Sequence, residues 1–236
     1  MKDFRMKFIE KIPRTPTVIS FRFFPQERVD FLPGQFMRLI FDEHNPGNKE
    51  LNKYLSLSCG TDKGYIEVTK RISASSFSNK LLGLNKDDSV SVQGPLGSCV
   101  FEKQFKKVSF LVGGIGITPV ISMLEYVLSN KIQSDISVFY SNRNEEEIAF
   151  KKQLDDWMEI NKSLKVYYTV TECAPKDKNC FYGGINKELL SANICDAQER
   201  VIFIFGPPKM VEAMQVLAQG INCPQTNIKT EKFIGY

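Results

Sequence analysis

Three glycines and a proline stand out in Leu111-Val-Gly-Gly-Ile-Gly-Ile-Thr-Pro-Val120, between the apolar run VSF and the helix-like stretch ISMLEYVL. Glycines such as Gly114 and Gly116 let backbone N–H groups approach a ligand closely. Pro119 suits a first helical turn, and a helix N-terminus offers partial positive charge to a pyrophosphate. The segment lacks the Gly-Lys-Ser/Thr ending of a Walker-type loop and the third glycine of the dinucleotide fingerprint. Tight strand-to-helix packing would use the same residues. A second turn favours a ligand. In Val201-Ile-Phe-Ile-Phe-Gly-Pro-Pro-Lys-Met210 an apolar strand ends in Gly206, and Pro207 and Pro208 then lead to Met210 in a helix. Two such turns at the carboxyl ends of parallel strands suggest one cradle. A third strand, ISVFYS, ends in Ser141, Asn142 and Arg143, a hydroxyl, an amide and a guanidinium suited to reading a ribose or phosphate. The planar fork of Arg143 suits a 2′-phosphate; a solvated surface charge is the alternative.

The N-terminal half holds a second group able to bind an anion. YIEVTKR, residues 65–71, ends in Lys70 and Arg71, and Ser75-Ser-Phe-Ser-Asn follows within a few residues. Two cations beside a serine-rich helix start make a phosphate site or, equally, a polar strand edge with ordinary capping. Asn52-Lys-Tyr-Leu-Ser-Leu-Ser-Cys-Gly60 sets Ser56 and Ser58 on one side of a strand, Leu55 and Leu57 on the other. Metal chemistry finds no support. The six cysteines (59, 99, 173, 180, 195, 223) form no C-x-x-C pair, and the single histidine, His44, lies in a polar loop. Such cysteines read as small buried residues or free thiols in a reducing cytoplasm.

The elements that must hold these residues fall into two textures. Residues 1–100 alternate over short runs (MKFIEKI, TVISFRFF, QFMRLIF, YLSLS, YIEVTKRI, VSVQG) separated by Pro, Gly, Asn and Asp clusters. Six short strands so spaced predict a small antiparallel barrel or sandwich, with one helix near Ser75–Leu82. Beyond about 105, strands VSFLVGG, DISVFYS, LKVYYTV and VIFIFG alternate with helical stretches PVISMLEYVLSN, NEEEIAFKKQLDDWMEI, NKELLSAN and PKMVEAMQVLAQG. This predicts a parallel α/β sheet with crossover helices. The change of texture falls within Phe101–Lys107. A net charge of +4 over 236 residues is too mild for a nucleic-acid binder, and no apolar run reaches membrane-spanning length.

With these segments in order, the sequence resembles the ferredoxin–NADP⁺ reductase family of flavoproteins. FLPGQF at 31–36 is similar to the family's F-x-P-G-Q-F strand, and KYLSLSC at 53–59 to its flavin motif R-x-Y-S/T-x-x-S. YIEVTKR and SFSNKL resemble the strand and helix that hold the flavin pyrophosphate, and GPLGSCVF at 94–101 the close of the first domain. GGIGITP, YSNRNEEEIAFKKQL, FGPPKMVEAM and TEKFIGY resemble the pyridine-nucleotide turn, the unit after it, the second turn and the terminus.

The resemblance implies an FAD-binding barrel over 1–103 and an NAD(P)-binding α/β domain over 104–236. Hydride would pass between NAD(P)H and the flavin, and electrons onward to a separate carrier such as ferredoxin or flavodoxin. A flavin reductase or a non-catalytic flavin-binding redox subunit would share the fold. The resemblance puts Ser56 near flavin N5, Lys53 on the pyrophosphate, with Tyr54 and Leu55 beside them. It sets Val68, Thr69 and Lys70 along the flavin, and Ser76, Phe77 and Ser78 at its pyrophosphate helix. Gly114, Gly116, Thr118, Pro119, Gly206, Pro207 and Met210 fall on the NADP or NAD turns. Glu231 falls on an acidic position that assists at the active site in parts of the family. Four departures follow: Lys53 for arginine, Leu55 for the flavin-packing tyrosine, Cys59 for the last motif serine, and Phe205 for a cysteine near the nicotinamide.

Overall fold

A computed structural model describes residues 2–233. Ile234, Gly235 and Tyr236, the last three of the TEKFIGY segment, lie outside the described residues. The chain forms two compact units. One comprises the chain up to Phe101 with Thr118–Asn130, the other Glu102–Ile117 with the chain from Lys131 on.

The first unit is built on six antiparallel strands: β1 (Lys2–Pro13), β2 (Val18–Pro25), β3 (Phe36–Ile40), β4 (Asn52–Ser56), β5 (Ile66–Arg71) and β6 (Ser89–Leu96). Alternation dictates them. Along β1, Phe4, Met6 and Phe8 are buried while the residues between them are exposed. The strands run in the order β4-β3-β6-β1-β2-β5. Just past β4, a single bridge from Leu57 to Val68 closes this sheet into a barrel. Inside lie Phe21, Phe23, Met37, Leu39, Leu55, Leu57 and Val68. Helix α1 (Ser76–Leu82) begins where Ser75 Oγ accepts from Ser78 N, and adds Phe77 and Leu81 to this core. Helix α2 (Ile117–Ser129) contributes Glu125, whose carboxylate accepts from Gly60 N at 2.7 Å and pairs with Lys63 at 2.9 Å. Gly34, at φ 105°, leaves no room for a side chain: a Cβ would lie 2.5 Å from Cys99 O.

The second unit is a six-stranded parallel sheet: β7 (Lys107–Gly113), β8 (Asp135–Asn142), β9 (Leu164–Val170), β10 (Cys180–Tyr182), β11 (Val201–Gly206) and β12 (Ile228–Lys232). Its order is β10-β9-β8-β7-β11-β12. The chain winds one way from β7 to β10 and then returns to the other side of β7 as β11, so its direction reverses between β7 and β11. Helices α3 (Lys151–Ile160), α4 (Lys187–Asn193) and α5 (Pro208–Gly220) complete the fold.

Two of these strands lie outside the pattern expected from the sequence. β10 is three residues long, and β12 (IKTEK) is too polar to look like part of a buried sheet. The sequence pattern also predicts one continuous helix from Asn144 to Ile160. The structure has a short turn at Glu145–Glu147, and α3 starts only at Lys151. Ile148, Ala149 and Phe150 are all buried. Three consecutive residues cannot share one helical face. Phe150 escapes by adopting a left-handed φ of 62°.

Candidate functional site

The two glycine turns meet at the reversal point of the parallel sheet, where open α/β sheets bind ligands. β7 and β11 are paired through Val112 and Phe205, and their turns begin one residue later. A Cβ on Gly116 would lie 2.5 Å from Phe205 O and 3.1 Å from Gly206 N. A Cβ on Gly113 would overlap the Met210 sulfur. Glycine is thus required by close approach of one turn to the other. Gly114, at φ 52°, has open space around its Cβ position, so there the conformation itself favours glycine. Thr118 and Pro119 fall in the first turn of α2, and Pro207 caps α5, whose first residue is Pro208.

The carboxyl end of β8 adds Ser141 in register between Gly113 and Thr169. Asn142 is 5% exposed, and neither its side-chain Nδ2 nor its Oδ1 has a hydrogen-bond partner. Burying both without partners is costly unless a ligand completes them. Arg143 is largely exposed, and its Nε lies 3.6 Å from the Glu172 carboxylate. The segment carrying Glu172 is pinned in place: Thr171 N donates to Asn142 O and Glu172 N to Arg143 O. This acidic neighbour escaped the sequence reading, because it comes from the far end of a different strand.

Glu231, in β12, pairs across the ladder with Phe205. Burial pushes its carboxyl up to about 7. Phe205 is fully buried, stacked on Phe203 and Phe233 at centroid separations of 6.0 and 6.4 Å. Its ring belongs to the core of the sheet.

On the barrel, Lys53 and Lys70 are close enough to repel one another. Burial first, then the Lys53 charge, holds the Lys70 ammonium below its usual range. An anion beside them would relieve that repulsion. At the start of α1, Ser76 N and Phe77 N have no acceptor among the described residues, while Ser78 N is capped by Ser75. The buried side chains of Phe77 and Ser78 leave only backbone groups for a ligand: Phe77 packs in the core, and Ser78 Oγ bonds Ser75 Oγ at 3.0 Å. The same correction applies to Leu55 and Val68, both in the barrel core, and to Thr69, whose hydroxyl is held by Ser20 and Ser58. Ser56 is buried at the end of β4. Tyr54 is exposed, edge-on to Phe36 with the Arg38 guanidinium over its ring.

The sequence matches the oxidoreductase FAD-binding domain over residues 3–101 and the oxidoreductase NAD-binding domain over 110–216. The chain belongs to the ferredoxin–NADP⁺ reductase family. Curated relatives in this family include an NADH-cytochrome b5 reductase 1 of Dictyostelium discoideum, 29% identical over 78% of this chain. An NADH-cytochrome b5 reductase 2 of Meyerozyma guilliermondii is 32% identical over 71%. These matches span 66% and 58% of the relatives' own lengths. Among solved structures, the cytochrome b5 reductase domain of Ulva prolifera nitrate reductase has a TM-score of 0.86 at 20% identity, covering 98% of this chain and 97% of that one. A ferredoxin NADP+ reductase from Neisseria gonorrhoeae with bound FAD and NADP scores 0.82 at 21% identity, covering 98% and 99%. These likenesses show the fold. The unpartnered Asn142, the abutting glycine turns and the crowded lysines fit the FAD and NAD that such domains bind. Among the described residues, no helix is long and apolar enough to cross a membrane, and no cluster of metal-ligating side chains occurs.

Proposed function

We propose that this chain is an NAD(P)H oxidoreductase, with NADH the better substrate, that passes electrons to a separate haem carrier of cytochrome b5 type. The observation that carries the reading is the meeting of the two glycine turns at the reversal point of the sheet, where Gly113 and Gly116 leave no room for a side chain and Gly114 takes a left-handed conformation. The names of the curated relatives favour a cytochrome b5 over the ferredoxin or flavodoxin first expected. The preference for NADH rests on Glu172, whose charge beside Arg143 disfavours a 2′-phosphate.

A bound flavin supplies the chemistry, accepting a hydride and releasing electrons singly. The protein binds and orients. Lys53, Lys70 and the first amides of α1 hold the flavin pyrophosphate, and Ser56 and the β5 backbone flank the ring. Gly114 to Pro119 and Gly206 to Met210 cradle the pyridine-nucleotide pyrophosphate. Ser141 and Asn142 bind the ribose, and Glu231 holds a proton near neutral pH. Six free cysteines suit a reducing cytoplasm.

Anaerobic stopped-flow reduction of the FAD-loaded protein by NADH and NADPH in parallel tests the reading, followed by addition of cytochrome b5, ferredoxin or flavodoxin. Rapid bleaching by NADH and fast reduction of cytochrome b5 is the expected result. A flavin that NADH leaves oxidised would overturn it, and so would release of reduced flavin into solution.

A further inference from the structure

The barrel seam between the chain after β4 and strand β5 has one isolated bridge, Leu57 to Val68, to which Ser58 N contributes by donating to Glu67 O at 2.8 Å. Side chains supply the rest. Glu67 is 2% exposed, and its carboxylate accepts from Arg14 Nη2 at 2.9 Å and Arg22 Nε at 2.8 Å. Ser58 Oγ lies 3.3 Å from Glu67 Oε1 and 2.7 Å from Thr69 Oγ1. Thr69 Oγ1 lies 2.7 Å from Ser20 Oγ, which accepts from Arg14 Nε at 2.7 Å. Arg14, Ser20, Thr69, Ser58 and Glu67 form a closed ring, with Arg22 bonded to Glu67 from outside it.

Its polarity is fixed. Glu67 only accepts, so Ser58 Oγ donates to its carboxylate, Thr69 Oγ1 in turn donates to Ser58 and Ser20 Oγ to Thr69, and Ser20 accepts from Arg14, which only donates. Every hydroxyl is used once as donor and once as acceptor. The ring spans four segments: the turn after β1, β2, the chain after β4, and β5. Ser58 stands two residues after Ser56, and Glu67 and Thr69 alternate with Val68 and Lys70. Buried ionic groups joined in one satisfied network rigidify what they connect.

We propose that Glu67 is a positioning residue for the flavin, setting the spacing of Ser56 from the β5 backbone through this ring. The proposal rests on the placement of the flavin along Ser56 and Val68–Lys70.

The test titrates FAD into the apoprotein and records visible circular dichroism of the bound flavin and hydrogen exchange over residues 56–59 and 66–71. Glu67→Gln keeps the shape but turns an N–H₂ toward an arginine or Ser58. It should weaken FAD binding roughly tenfold or more, the scale of a lost charged hydrogen bond, alter the flavin dichroism and speed exchange in both segments. Ser58→Ala opens the ring without touching a charge and should shift the same three readouts in the same direction; it decides the matter if Glu67→Gln does not fold. Val90→Ala, in β6 away from the seam, is the control for lost stability and should leave FAD affinity and dichroism unchanged. Glu67→Gln and Ser58→Ala proteins that bind FAD as the control does would overturn the proposal, provided Lys70→Met weakens binding. If Lys70→Met also binds FAD normally, the flavin placement fails, and the proposal with it.

Discussion

Glu231 stands directly across the β11–β12 ladder from Phe205, so both side chains share one face of the parallel sheet. Phe205 and its aromatic neighbours make that face apolar, and this burial raises the Glu231 carboxyl to about 7. An acid raised in the folded state adds stability that is fully present below its ordinary value of 4.5 and is lost as pH climbs through about 7. Between pH 5 and 8 the Tm of the wild-type protein should therefore fall relative to that of Glu231→Gln. Differential scanning fluorimetry across that window checks it; parallel curves would show that the carboxyl is not raised. The rate of flavin reduction by NADH should also titrate near 7 in the wild type and flatten in the variant.

Phe205→Ala leaves a hole between Phe203 and Phe233 in a fully buried stack. The expected loss is about 3–5 kcal/mol, the range for truncating a buried aromatic. Urea denaturation measures it, and a loss under about 1 kcal/mol would mean the ring faces the ligand instead of the core.

Gly116→Ala forces its new methyl against the Phe205 carbonyl, which is backbone and cannot swing away. We expect a loss of about 1–3 kcal/mol in stability and a raised KM for NADH. Gly184→Ala meets nothing within 4 Å and should stay within about 0.5 kcal/mol of wild type. Equal behaviour of the two would contradict the packing of one turn on the other.

Glu172→Gln frees Arg143 for a 2′-phosphate. The expected gain in kcat/KM for NADPH is about tenfold, or ~1.4 kcal/mol, with NADH nearly unchanged. In that background Arg143→Ala should remove about 1–3 kcal/mol of NADPH use. If Arg143→Ala costs both nucleotides alike, Arg143 does not read the phosphate.

Local patterning carried much of this protein into view. Six barrel strands, four of the six parallel strands, the serine-capped α1 and both glycine turns follow from alternation, helical periodicity and turn residues, each a matter of sterics between near neighbours. β12 did not follow, because IKTEK shows no buried run; it is a strand only because β11 lies beside it. The break at Phe150 was hidden for a similar reason, since its helix-favouring surroundings yield to the burial of three consecutive residues.

The amino-acid sequence by itself determined two units of different secondary structure, the places where their chains turn, and enough ordered motifs to show the family resemblance. Only the tertiary structure decided which way the side chains at those motifs point. It buried Leu55, Val68 and Phe77 in the barrel and Phe205 in a stack, and set Glu172 against Arg143. It also closed Glu67, Ser58, Thr69, Ser20 and Arg14 into one ring. The physical reason is range: turns and periodicity depend on residues a few positions apart, whereas burial and pairing depend on segments that folding alone brings together.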